Sequence, residues 1–482
     1  MQPTLYYGKS ESNGRLSSGI GSIELPESRA GRVIRSVHIT NYYHSDSGGV
    51  KASYDKLLRA ADRYRRHISL IVPGENSHVQ SVGEFGTIYF VKAKRAPVFD
   101  RRYRVIMPTQ YLFHGSAVRD ILLEEKPDLI EVYDNYALIF LAGMTRMGYF
   151  KDLGRPMFVY FTGERFDTIF KTFVVGGRLG GWFSRRVLAN FSLQMFDYYI
   201  ANSRFVADEI LLSERKENNP HRWEWFHTKC RQFFKARPDP IKDRLAICPR
   251  GVNTSEFSPA LRSDETRKQI CLNANVPVNA KIIVSATRLS PEKNIRLLPE
   301  IIARLAADTD HDFRLLIAGS GTEEQWLVEQ SKNFNGKMIV VGQQDRSSLA
   351  KLYSNADVFI HPNPREPFGN VCLEAMASGA ACVFPNSGGV LTYADHSNSW
   401  LVETDAQSFY EGIKEAVEDE QLRKSKIEKA IETAVHNSED AAIDRLLDTY
   451  DRFFRLFSKR ENTEVRDAGD ASLNVRGIRR KA

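Results

Sequence analysis

The stretch HPNPREPFGNVCLEAMASG, residues 361–379, decides how the rest of the chain is read. Its order is strand end, loop and short helix, with Asn370 as the expected N-cap and Gly379 as the expected stop. Val371, Cys372, Leu373, Ala375, Met376 and Ala377 leave that helix apolar on every side, which marks it as buried. Glu374 sits in its middle. A carboxylate there needs hydrogen-bond donors or a charge partner, because desolvating it alone is costly. Glu366 lies in the loop that feeds the helix, and the amides around Phe368, Gly369 and Asn370 are the open donors of a helix N-terminus, which attract phosphate. Two acceptor side chains beside an anion cradle suit a ligand with both hydroxyls and phosphates, such as a nucleotide sugar. Taken alone, two glutamates eight residues apart occur often by chance, and Glu374 could simply pair with an arginine.

Working outward, the same half of the chain supplies more. The strand ending at VSAT (284–287) runs into a Pro-containing turn that carries two cations, Arg288 and Lys293. Cations at a strand's C-terminal edge are placed to neutralise a diphosphate. Gly-Ser-Gly at 319–321 makes a tight turn after the next strand, and the Glu366 loop follows another. Strand patterns at 281–287, 313–318, 337–341, 357–361, 381–384 and 400–402 alternate with helical ones at 295–305 and 347–353. An earlier series runs through 33–39, 68–72, 87–91, 129–133, 157–162, 198–201 and 245–248, with helices at 117–125 and 137–147. After its first strand come Gly48-Gly49 and an amphipathic helix, the order by which α/β domains bring backbone amides to a ligand. The fold class is therefore α/β, with two Rossmann-like doubly wound domains.

The boundaries follow composition. Residues 1–31 read as a mobile Gly/Ser/Glu-rich tail, 32–275 as the first domain and 276–440 as the second. Residues 441–458 form a helix with a broad apolar face, and 459–482 a disordered basic tail. A net charge of +7 permits an anionic partner. Five cysteines without a CxxC pair suit a reducing cytoplasm, and Cys372 and Cys382 read as core thiols. No apolar run is long enough to span a bilayer and the N-terminus lacks a signal-peptide pattern, so a soluble or peripheral, unsecreted protein is expected. Segment 169–193 mixes aromatics with Lys171, Arg178, Arg185 and Arg186. It reads as a core helix with solvated arginines or as an amphipathic surface helix on lipid headgroups. Basic clusters at Arg63, Arg65 and Arg66, at Lys92, Lys94 and Arg95, and at Arg101, Arg102 and Arg104 could extend such a surface.

TRLSPEKN (287–294), LLIAGSG (315–321), VVGQQD (340–345) and above all REPFGNVCLEAMASG (365–379) resemble the retaining glycosyltransferases of family 4, which have the GT-B fold. KPDLIEVYD (126–134), YYIANSRFVADEI (198–210) and CPRGVNTSEFSP (248–259) look like pieces of that family's first domain, so the resemblance spans roughly residues 32–458. It implies that Arg288 and Lys293 hold the donor diphosphate. It implies that Glu366 contacts the transferred sugar, Glu374 the ribose, and the amides of Phe368, Gly369 and Asn370 sugar and phosphate. Gly48 and Gly49 would approach the donor phosphate from the opposite domain, and the helix at 441–458 would cross back to the first domain. The reaction implied moves a sugar from a nucleotide diphosphate donor to a hydroxyl acceptor, with the leaving phosphate helping to deprotonate the acceptor. Glycolipid or polysaccharide assembly at the inner face of an anionic membrane is the expected setting, with no nucleic acid, no cofactor beyond the donor and no metal. Asp308 and Asp310, the one Asp-x-Asp pair, read as a solvated loop.

The chain departs from the family where a histidine is usual after the strand at 157–162; Thr162-Gly163-Glu164-Arg165 stand there instead. Glu164 and Arg165 either face the acceptor side of the cleft or form a structural ion pair, and His38 and His44 are alternative substitutes. Other readings are a sugar-nucleotide epimerase, a phosphorylase, or a catalytically silent scaffold at a membrane surface.

Overall fold

The computed structural model describes residues 33–44, 48–96, 104–134, 137–167, 177–214 and 221–478, without side chains for 48, 177–181, 221–223 and 462–478. The tail expected at 1–31, Arg101, Arg102, Lys171 and the last four residues lie outside these.

Two parallel sheets carry the chain. The first is built from β1 (Ser36–Thr40), β2 (Ile68–Gly74), β3 (His78–Val82) and β4 (Gly86–Lys92), then, beyond a two-stranded ribbon of β5 (Lys94–Arg95) and β6 (Arg104–Val105), from β7 (Leu129–Tyr133), β8 (Met157–Thr162), β9 (Tyr198–Ala201) and β10 (Leu245–Ile247). Its order is β10-β9-β8-β7-β1-β2-β4-β3, parallel except for β3, which pairs antiparallel with β4 at the edge. The second comprises β11 (Lys281–Ala286), β12 (Phe313–Ala318), β13 (Met338–Gly342), β14 (Val358–Ile360), β15 (Ala381–Pro385) and β16 (Trp400–Val402). It is wholly parallel, in the order β13-β12-β11-β14-β15-β16.

Apolar side chains pack on both faces of each sheet. Val37, Ile39, Ile130, Val132, Phe158 and Tyr160 serve one face of the first, and Ile68, Leu70, Leu129, Met157 and Ile200 the other. Strands covered on both faces read as nearly continuous apolar runs, which is why β7, β8 and β11 are visible in the sequence. The hairpin strand β3 is not. HVQSV is largely exposed, and only its pairing with β4 holds it as a strand.

Chain crossings join the two sheets side by side. Val252 N–H donates to the Asn437 carbonyl and Glu439 N–H to the Val252 carbonyl, at 3.0 Å each. A Cβ on Gly251 would lie 2.4 Å from the Ser438 carbonyl oxygen, so this close approach requires glycine. The helix Glu439–Ile478 then returns to the first sheet, burying Leu447, Tyr450, Phe453 and Phe457 there. It runs on through residues 459–478, where the sequence pattern predicts a disordered tail. Arg, Glu and Ala favour helix there without any apolar stripe. Arg63 and Arg66, expected on a lipid-facing surface, pair instead with Asp440 and Asp451 of this helix.

Candidate active site

In an open α/β sheet the strand order reverses at one crevice, and loops leaving the carboxyl ends of the two strands there can close around a ligand. In the second sheet those strands are β11 and β14, which carry the Arg288–Lys293 turn and the Glu366 loop. In the first they are β1 and β7, and Gly48-Gly49 follow β1 at the head of the helix Gly48–Tyr64.

Glu366 is fully engaged. Lys293 Nζ donates to both its oxygens at 2.9 and 3.1 Å, Asn363 Nδ2 donates at 3.0 Å and His361 Nε2 lies 3.0 Å away. Burial alone would raise this carboxyl, but the Lys293 and His361 charges and hydrogen bonds hold it well below the usual carboxylate range. Burial would likewise depress Lys293, yet Glu366, with Glu164 at longer range, keeps its amine above the ordinary value. The Gly389 amide fastens the Glu366 carbonyl at 2.6 Å.

Glu374 is the opposite case. Its side chain is 12% exposed, and Arg346 Nη1, the cation nearest it among the described residues, is 3.6 Å away. Arg346 is already spent on Glu256, with a bond of 2.8 Å. Burial pushes the Glu374 carboxyl up to about 7, offset only in part by Arg346 and by Lys56 from the first domain's opening helix. Its helix, Asn370–Ala377, buries Cys372, Leu373, Ala375, Met376 and Ala377 as expected, and Gly379 follows in the left-handed region.

The N-cap is Gly369 rather than Asn370. The chain turns through φ +83° there, a conformation suited to glycine, and this moves the cap one residue earlier. The Tyr393 hydroxyl donates to the Phe368 and Gly369 carbonyls at 3.0 and 2.7 Å and so holds the turn from its carbonyl side. Freed from capping, Asn370 turns toward the first domain, where a Cβ added to Gly49 would lie 3.2 Å from its Nδ2. Asn370 Oδ1 is buried with no hydrogen-bond partner among the described residues. The Gly-Gly loop and the helix N-terminus thus meet across the cleft, and Arg250 Nη1 fixes the loop through the Gly49 carbonyl at 2.5 Å.

Arg288 is exposed at the end of β11. Its turn is held by Leu289 N–H on the Ser320 carbonyl, 2.9 Å, and a Cβ on Gly321 would come within 2.2 Å of the Leu289 carbonyl oxygen. The glycines at 319–321 therefore shape the cation turn.

Glu164 and Arg165 separate. Arg165 is buried and bidentate on Asp167, at 3.0 and 3.1 Å, and stacks on Phe205, which is the ion pair of the two readings offered for it. Glu164 is exposed and its charge reaches Lys293 across the cleft. Asp167 also receives Arg365 Nη2 from the Glu366 loop at 3.3 Å, a bridge between the two halves. His38 is buried on β1 with Nδ1 3.0 Å from Glu131, out of the cleft. Asp308 is not solvated as expected. Its side chain is 2% exposed and is taken up by Lys414, Tyr410 and two backbone amides. No group of three His, Cys, Asp or Glu side chains suited to a metal occurs among the described residues.

Sequence reasoning missed His361, Asn363, Arg346, Arg365 and Tyr393. The first two were legible in principle, as polar residues at a buried strand end beside Glu366. Arg346 and Tyr393 are brought in only by the fold.

Residues 269–433 match the family described as glycosyl transferases group 1. The chain is 30% identical over 186 residues to an uncharacterised glycosyltransferase of Methanocaldococcus jannaschii, a match covering 37% of this chain and 46% of that protein. It is 26% identical over 357 residues to a GDP-mannose-dependent alpha-(1-6)-phosphatidylinositol dimannoside mannosyltransferase of Mycobacterium tuberculosis, covering 73% and 79%. Among solved structures, sucrose-phosphate synthase from Thermosynechococcus elongatus superposes with a TM-score of 0.63 at 17% identity, covering 88% of this chain and all of that one. Anabaena HepE in complex with UDP-glucose gives 0.59 at 15%, covering 86% and 98%. The architecture is the GT-B fold. The resemblance read from the sequence holds, and the matched residues 269–433 contain the whole second sheet.

Proposed function

We propose that this protein is a retaining glycosyltransferase of family 4 that transfers a sugar from a nucleotide diphosphate donor to a hydroxyl acceptor. The observation that carries this reading is the pairing of Glu374 and Glu366 around one helix N-terminus. Glu374 is a buried carboxylate short of donors, which ribose hydroxyls would supply. Glu366, held ionised by Lys293, would accept hydroxyls of the transferred sugar. Arg288, Lys293 and the amides at 368–370 would stabilise negative charge gathering on the leaving diphosphate, the part a metal plays in other transferases. That leaving phosphate would help deprotonate the acceptor on the same face of the sugar, and no side chain is assigned as nucleophile. Closure across the Gly49–Asn370 and Arg365–Asp167 contacts would exclude water and limit donor hydrolysis.

We place the acceptor in glycolipid or polysaccharide assembly, with peripheral contact to an anionic membrane on the cytoplasmic side. Support for the membrane contact is the aromatic surface of the helices Gly177–Asn190 and His221–Phe233, where Trp182, Phe183, Trp225 and Phe233 are 40%, 50%, 68% and 64% exposed. Among the described residues, no helix is long and apolar enough to cross a membrane. A thermal-shift panel of nucleoside diphosphates and their sugars tests the donor reading, since a ligand of the folded state raises its melting point. Absence of any shift would leave only a silent scaffold. Release of nucleoside diphosphate that depends on added acceptor separates transfer from epimerisation or phosphorolysis. Failure to float with phosphatidylcholine–phosphatidylglycerol vesicles at low salt would remove the membrane contact.

A further inference from the structure

The loop after β8 brings Glu164 to the cleft, and the contacts around it say what it faces. Thr162 Oγ1 donates to the Glu164 carbonyl at 2.9 Å, which fixes the loop at the strand end. A little further on, Asp167 receives Arg365 Nη2 at 3.3 Å, and Arg365 stands next to Glu366 in the second domain. Arg165 ties the same loop to the helix Arg204–Glu214 through the Phe205 carbonyl at 3.1 Å. That helix meets the second domain where Arg204 N–H donates to Thr392 Oγ1, also at 3.1 Å. Glu164 is exposed beside both bridges and so looks across the cleft at the Lys293–Glu366 pair. Its charge helps hold the Lys293 amine above the ordinary value, in keeping with that position.

The cations of this part of the cleft are engaged, and its acceptors are not. Arg165 and Arg365 both answer Asp167, and Lys293 answers Glu366. Arg250 is drawn to the Gly49 carbonyl on the glycine-loop side, over the rings of Tyr133 and Phe161. Asn202, just after β9, donates Nδ2 to the Gly163 carbonyl at 3.1 Å, and its Oδ1 is buried with no hydrogen-bond partner among the described residues. A Cβ on Gly163 would lie 2.8 Å from the Tyr133 hydroxyl and 3.2 Å from Asn202 Nδ2, so glycine lets these groups gather beside Glu164. Acceptors of this kind take hydroxyl or ammonium donors, and an ionised acid group has no proton to give them.

We infer that Glu164 is a specificity-determining residue, and that it restricts the donor to sugars without an acid group. A neutral or amino sugar held at Glu366 meets Glu164 with a hydroxyl or an ammonium. A uronic or sulfonated sugar meets it with a like charge, and such repulsion discriminates between ligands of otherwise equal fit. The inference rests on the reading of Lys293 and Glu366 as the place of the donor's diphosphate and sugar.

The test is calorimetry on the whole chain at low salt, with the glucosyl and glucuronyl esters of whichever nucleoside diphosphate raises the melting point most. The two ligands differ by one carboxylate, so base and diphosphate cancel in their ratio. The glucosyl ester should bind tighter by about tenfold or more. Glu164→Gln should shrink that preference to about twofold, Glu164→Asp should keep it and Glu164→Lys should reverse it. Because the ratio compares two ligands on one protein, a variant that folds less completely still reports it. Equal binding of the two esters to the wild type, or a preference that survives Glu164→Gln and Glu164→Lys, would overturn the inference and leave the donor reading standing. Binding of no nucleoside diphosphate at all would instead contradict the donor reading, and this inference would fall with it.

Discussion

Glu366 and Glu374 lie on one loop and one helix, both almost out of solvent, yet the protein treats them oppositely. Lys293, His361 and Asn363 surround the first, and its carboxyl is pulled well below the usual range. Among the described residues the second has Arg346 at 3.6 Å, itself committed to Glu256, with the charge of Lys56 besides, and burial still pushes it up to about 7. A carboxylate satisfied from within holds a fixed charge and a fixed position. One left short of donors costs stability until something from outside supplies them, and such deficits concentrate where ligands bind.

The comparison breaks most visibly if the satisfied side is stripped. Lys293→Ala leaves Glu366 buried without its ammonium and removes a cation from the diphosphate site. Donor turnover, followed as nucleoside diphosphate release, should fall about 10²–10³-fold, as when one transition-state donor is lost. Lys293→Arg should recover part of it.

Glu374→Gln tests the other side, with two effects of opposite sign. Nucleoside diphosphate affinity should fall at least tenfold, while the free protein becomes more stable at pH 8. The sign follows from linkage. With a folded pKa near 7 and an unfolded one of 4.5, the native state holds the extra proton between them, so stability falls as pH rises through that window. The deficit at pH 8 is about 3 kcal/mol at most. Melting curves of the variant and the wild type should therefore converge at pH 5 and separate by pH 8.

Arg365→Ala cuts the bridge to Asp167 without touching either carboxylate. A partly exposed pair of this kind is worth up to about 1 kcal/mol, so turnover should drop about fivefold with nucleoside diphosphate affinity unchanged. An equal loss of affinity would place Arg365 in the donor site itself. Tyr393→Phe should act least, removing the hydroxyl that pins the turn at 368–369. It should lower the melting point by a few degrees and shift affinity about twofold.

Much of this is legible in the order of the residues alone. Buried parallel strands announce themselves as apolar runs, and the loops after β11, β12 and β14 carry their chemistry in consecutive letters: Arg288 and Lys293, Gly-Ser-Gly, then Glu366 and Glu374. What stays hidden depends on pairing across long separations. The hairpin strand β3 has no apolar pattern because one face is bare. Arg165 cannot be told from a cleft residue until Asp167 takes its Nε and Nη2, and Asp308 looks solvated until Lys414 and Tyr410, on a distant helix, close over it. Which carboxylate is satisfied is likewise a three-dimensional fact. The sequence supplies both glutamates in equal standing.

The central claim is that Glu374 waits for ribose hydroxyls, and proton release on binding tests it directly. Near pH 7 its carboxyl is about half protonated in the free protein. Titration of UDP or GDP, whichever raises the melting point more, in two buffers of different ionisation enthalpy gives the protons released. The 2′,3′-dideoxy analogue carries the same diphosphate and corrects for it. The ribonucleotide should release about half a proton more than the dideoxy form, and that excess should vanish in Glu374→Gln. Equal release by the two nucleotides would contradict the assignment of Glu374 to the ribose.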